Sequence, residues 1–114
     1  MMDQEAQQNI RNATIRSFTD GVTSTQQTVE VLGLHGSADA YLLSQLLGTS
    51  SKLLVILCAE LEPARQLTAE LQFFHPHPND IALLPHWEMN PYDPLTPHPE
   101  LEATRITTLA ALNQ

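Results

Sequence analysis

Polar and apolar positions follow three different rhythms along the chain, and each rhythm predicts a different kind of element. Residues 3–28 are polar and rich in Gln, Thr and Asn, with Ile10, Ile15 and Phe18 at loose helical spacing. They predict a marginal N-terminal helix and then a linker from about Asp20 to Gln27. From Thr28 the texture becomes β-branched and aliphatic. Residues 28–34 read as a strand that stops at His35-Gly36-Ser37, a turn sequence. Ala38, Tyr41, Leu42 and Leu46 then recur at helical spacing, with Ser37 or Asp39 available as N-cap and Gly48 where a C′ residue belongs.

The unit then repeats. Residues 52–58 form a continuous apolar run with one charge at its start, the pattern of a strand covered on both faces and hence of a parallel sheet. Glu62-Pro63 opens a second helix with an acid near the positive end of its dipole, Ala64, Leu67, Leu71 and Phe74 give it an inward stripe, and Pro76 and Pro78 stop it. Residues 81–84 are a short apolar third strand. Strands and helices alternating at these lengths predict an α/β layered domain, a parallel sheet of about three strands with flanking helices and right-handed crossovers. Residues 85–99 hold five of the eight prolines and the only tryptophan. A loop of that length is functional or disordered, and Trp87 and Tyr92 predict an ordered one that packs its aromatic rings. Pro99 starts a last helix with Glu100 and Glu102 in its first turn and Ile106, Leu109, Ala110 and Leu112 as its apolar face.

At 114 residues the chain suffices for one domain that buries roughly two-thirds of its unfolded surface; the reading divides it into a polar segment 1–27 and an α/β module 28–114. Five Lys and Arg stand against thirteen Asp and Glu, a formal net charge of −8. The bases Arg11, Arg16, Lys52, Arg65 and Arg105 are scattered, which argues against a generic nucleic-acid surface, since neutralising several phosphates takes several cations on one face. Cys58 is the only cysteine, so the chain forms no internal disulfide and no cysteine-based zinc site. No apolar run approaches the ~20 residues of a membrane span, and MMDQEAQQNIRN lacks the basic start and apolar core of a signal peptide. A reducing, cytoplasmic setting is the expectation.

The turn Gly33-Leu-His35-Gly36-Ser37-Ala38-Asp39 sits where nucleotide-binding domains hold phosphates, because glycines let backbone N–H groups converge at a helix N-terminus and a lysine reaches the outer phosphates. Here that lysine is missing, and Asp39 would repel a phosphate. An ordinary tight turn is the plain reading, with no cofactor bound. His75, His77, His86 and His98 could supply imidazoles to zinc or copper, yet no cysteine or close i, i+4 pair completes a site, so they read as solvated loop residues and no metal is expected. Glu88, Asp93, Glu100 and Glu102 form an acidic cluster, two of them explained by the helix N-terminus. Cys58 reads as a buried small hydrophobe.

The segment 84–100, Leu-Pro-His-Trp-Glu-Met-Asn-Pro-Tyr-Asp-Pro-Leu-Thr-Pro-His-Pro-Glu, closely resembles the Trp-Glu, Pro-Tyr-Asp and Ser/Thr-Pro-His pattern of the bacterial transcription-repair coupling factor (Mfd) family. The matching positions are Trp87, Glu88, Pro91, Tyr92, Asp93, Pro97 and His98, with Arg105 following in the last helix. Leu32-Gly-Leu-His-Gly-Ser37 resembles that family's degenerate P-loop turn, and 53–74 its second strand and helix. The resemblance covers roughly residues 28–112. It implies a three-layer, helicase-like module similar to the first domain of the repair helicase UvrB, here without the ATP-binding lysine, and thus a noncatalytic opening portion of a longer protein. In that family an adjoining segment docks UvrA, and other domains bind RNA polymerase and translocate on DNA with ATP and Mg²⁺. Two readings from other classes stay open: an active P-loop enzyme of UvrB type, and a small histidine-based metal-binding protein.

Overall fold

The computed structural model describes residues 3–24, 28–86, 92 and 98–113, and these divide into two compact units, residues 1–55 and 56–114. The first unit is built from α1 (Gln4–Ser24) and α2 (Ala38–Thr49), which contact each other. In α1 the good helix formers Gln, Glu, Ala and Arg prevail over a weak apolar pattern. Those residues stop at Arg16, yet the helix runs on through the expected start of the linker at Asp20 and ends at Ser24, in the stretch where Thr19 is buried and packing outweighs the weak propensity of residues 17–24. In its last turn hydroxyls bond back one turn: Thr23 donates to the Thr19 carbonyl at 2.7 Å and Ser24 to that of Asp20, each as a second donor to a carbonyl already in the helix ladder.

Small residues form much of the buried surface of this unit. Ala40 is 0% exposed and Leu46, Ser44 and Thr19 are buried with it. Burying two hydroxyls is tolerated because each is satisfied inside its own helix, Thr19 on the Arg16 carbonyl at 3.0 Å and Ser44 on that of Tyr41 at 2.7 Å. Gly48 lies within α2, not after it; Ser50 is the C-cap and donates its N–H to the Leu46 carbonyl.

In the second unit, α3 (Leu61–Phe74) buries Leu71 and ends where His75 turns extended before Pro76. A single 3₁₀ turn, η1 (Pro78–Asp80), folds back on α3. Residues 81–86 lead away from it, and α4 (Pro99–Ala111) begins at its proline as the sequence predicts. The exposed Arg65–Glu62 pair, 3.8 Å apart on α3, adds little.

The parallel sheet is not there. Among the described residues no strand forms, and no backbone hydrogen bond joins any two of the segments 28–34, 52–58 and 81–84, so the three-layer α/β fold expected from the pattern is corrected to a helical one. An apolar run specifies a strand only if a second segment supplies its ladder hydrogen bonds, and here none does. The consequence is open apolar surface where a doubly covered strand was expected: Leu53 is 71% and Leu57 91% exposed.

The last helix differs in a second way. Ile106, Leu109 and Leu112, its expected inward face, are exposed, Ile106 at 67%. The partly buried positions are Leu101, Arg105 and Thr108. Polar groups therefore turn α4 toward the chain: Thr108 Oγ1 donates to the Leu83 carbonyl at 3.1 Å and the Arg105 guanidinium to the carbonyl of Pro85, which is buried. A charged donor on a buried carbonyl is worth more than an ordinary hydrogen bond.

Candidate functional site

The turn before α2 owes its shape to two glycines. Gly33 has φ +78° and Gly36 φ +59°, left-handed values that other residues adopt only with strain. A Cβ at either would stand in open space, so backbone conformation and not crowding asks for glycine. The two reversals bring the chain into α2 at Ala38. The His35 carbonyl accepts the Ala38 N–H at 3.3 Å and the Ser37 carbonyl that of Tyr41 at 3.0 Å.

Ser37 precedes the helix without a side-chain cap bond, and the Asp39 carboxylate instead accepts the Ala40 N–H at 2.7 Å. A helix N-terminus attracts an anion through its unpaired N–H groups and the positive end of its dipole. In α2 the chain's own carboxylate already occupies part of that site. The turn thus combines two left-handed glycines with a carboxylate at the helix N-terminus, and 33–39 holds no Lys or Arg to offset its charge.

The second candidate region is split. Trp87, Glu88, Pro91, Asp93 and Pro97 lie outside the described residues. Tyr92 is 95% exposed, which corrects the expectation that its ring packs. His98 is the N-cap of α4, exposed, and its carbonyl accepts the N–H groups of Leu101 at 2.9 Å and Glu102 at 3.3 Å. Glu100 and Glu102 stand exposed in the first turn, where the helix dipole favours them. Arg105 is one and a half turns further on, held to Pro85.

His77, His86 and His98 are exposed, as a solvated loop histidine should be, but His75 is not. Its side chain is 9% exposed, its Nε2 lies 3.9 Å from Asp80 Oδ2, and its Nδ1 has no partner. The rings of His75 and His77 meet edge to face with centroids 6.1 Å apart. Among the described residues no three His, Cys, Asp or Glu side chains converge as a metal site would require. Cys58 is exposed, not buried, because the run that carries it found no sheet to cover it.

Sequence reasoning missed Gln72 and Thr108, which together with Arg105 fix residues 81–86. The available signal was the i, i+3 spacing of Arg105 and Thr108, two polar residues on one side of a helix whose other side is apolar. Compared with family models, with curated proteins and with solved structures, the chain matches none. Among the described residues no helix is long and apolar enough to cross a membrane.

Proposed function

We propose that this chain is a noncatalytic module of a bacterial transcription-repair coupling factor, the class of protein that displaces stalled RNA polymerase and recruits nucleotide excision repair. The observation that carries the reading is the signature of residues 84–100, whose aromatic, acidic and proline positions match the family's pattern in register. The turn before α2 supports it: Gly33 and Gly36 are left-handed in a turn that leads into a helix, and Asp39 accepts a first-turn N–H where the family's degenerate P-loop would lack a phosphate. The reading rests on these two features and not on a sheet.

ATP, Mg²⁺ and DNA then belong to other domains of the parent protein, and UvrA and RNA polymerase are the partners of the assembly. Disruption of the gene encoding this chain should abolish the faster repair of the transcribed strand after ultraviolet damage. Strand-specific lesion counting measures this, and an unchanged strand bias overturns the reading. The isolated chain should give a flat calorimetric titration with Mg-ATP, since the turn offers neither the charge nor the donors that outer phosphates need. Saturable ATP binding that disappears in Gly36→Val would restore the P-loop enzyme.

A further inference from the structure

Residues 52–60, Lys-Leu-Leu-Val-Ile-Leu-Cys-Ala-Glu, are strand-like in pattern and unpaired. Exposure alternates along them: Leu53, Val55 and Leu57 are 71%, 69% and 91% exposed, whereas Leu54 is half-buried and Ile56 is 36% exposed. A period of two is that of an extended chain, whose successive side chains lie on opposite faces. Among the described residues the backbone N–H and C=O groups of 53–58 take no hydrogen bond. Leu53 to Cys58 is uncharged, lacks proline and glycine and is β-branched at Val55 and Ile56, the composition of a segment that pairs between chains when it is exposed.

The two charges of the segment select the occupant. Lys52 and Glu60 stand four residues to either side of Ile56. When two copies of 52–60 run antiparallel about Ile56, Lys52 of each faces Glu60 of the other, Leu54 faces Cys58, Val55 faces Leu57 and Ile56 faces its counterpart. One register thus forms both ion pairs and matches the apolar residues with one another. Lys52 and Glu60 are exposed and, among the described residues, neither has an ion-pair partner. Parallel in-register pairing would instead set Lys52 beside Lys52 and Glu60 beside Glu60, which is destabilising. We propose that residues 52–60 pair antiparallel with the same residues of a second copy of this chain, in the register centred on Ile56.

The net charge of −8 on each copy opposes this association. That charge is spread over the whole chain and is screened beyond about 8 Å at physiological ionic strength, whereas 52–60 carries one charge of each sign. The inference rests on the exposure and sequence of residues 52–60 and does not require the coupling-factor reading.

Sedimentation equilibrium of the intact chain should show the average mass rising from monomer toward dimer between about 10 μM and 1 mM. Lys52→Glu sets acid against acid and should weaken association about fivefold. Glu60→Lys sets base against base and should weaken it by a similar factor, although it makes each chain less negative; combining the two substitutions should restore the parent value. Both side chains are exposed and Glu60 makes no side-chain cap bond to α3, so the variants keep the fold. In a second measurement, the thiol introduced by Leu54→Cys should form a disulfide with Cys58 of another copy on mild oxidation, because directly opposed residues lie within disulfide reach. In the parent chain the two Cys58 thiols stand four positions apart along the ladder, about 13 Å, and should not link. A chain that stays monomeric to about 1 mM would overturn the proposal. So would stronger or unchanged association in Glu60→Lys, no recovery in the combined variant, no cross-link in Leu54→Cys, or a disulfide between the Cys58 residues of two parent chains.

Discussion

Leu71→Ala is expected to cost the second unit about 3 kcal/mol, the middle of the range for truncating a buried leucine. Leu71 is 3% exposed and is the buried apolar side chain of α3, at the end of the helix that η1 folds against. Its backbone carbonyl also accepts the His75 N–H at 2.8 Å, which closes the helix C-terminus. Among the described residues few large apolar groups are buried, so little neighbouring packing can replace the lost contacts. Urea unfolding followed by far-ultraviolet circular dichroism measures the effect. A loss below about 1 kcal/mol would mean that the site collapses freely around alanine and that Leu71 does not anchor the unit.

Arg105→Ala should cost about 2 kcal/mol, as expected for removing a charged donor from a carbonyl and leaving that carbonyl buried. Pro85 is buried and its ring offers no N–H through which the residue could rebond. Arg105→Lys should recover only part of the loss, because an ammonium on a flexible stem cannot reproduce a planar guanidinium. Thr108→Val removes the adjacent bond to Leu83 and should act less strongly, by about 1 kcal/mol. Combining it with Arg105→Ala in a double-mutant cycle should show non-additivity, since both side chains hold the same six-residue segment. Strict additivity would show that the two bonds act independently, and an Arg105→Ala midpoint equal to the parent's would remove Arg105 from the account of α4 docking.

The helices were legible because their signals are local. Pro99 with two acids behind it marked the start of α4, and Pro76 marked the end of α3 at Phe74, where the ladder of i to i−4 bonds can be read from neighbouring residues alone. Even so, the orientation of α4 was misread. Ile106, Leu109 and Leu112 form the better apolar stripe, yet Arg105 and Thr108 turn the helix, because the carbonyls of residues 83 and 85 need donors and an apolar stripe has none to give. Cys58 and His75 exchanged places for the same non-local reason. The run around Cys58 lacks the covering strands that would have buried it, while His75 is enclosed where η1 folds back on α3.

The amino-acid sequence by itself determined the turn before α2, through Gly33, Gly36 and the charge of Asp39, the end of α3 and the start of α4, and it carries the 84–100 signature on which the functional reading rests. Only the tertiary structure decided whether 28–34, 52–58 and 81–84 would pair. A helix makes its hydrogen bonds within itself, whereas a strand makes all of its own to another segment brought from a distance in the chain. Three strand-like runs therefore state a capacity for pairing and not a sheet. In residues 81–86 that capacity is met on one edge by the side chains of Gln72, Arg105 and Thr108.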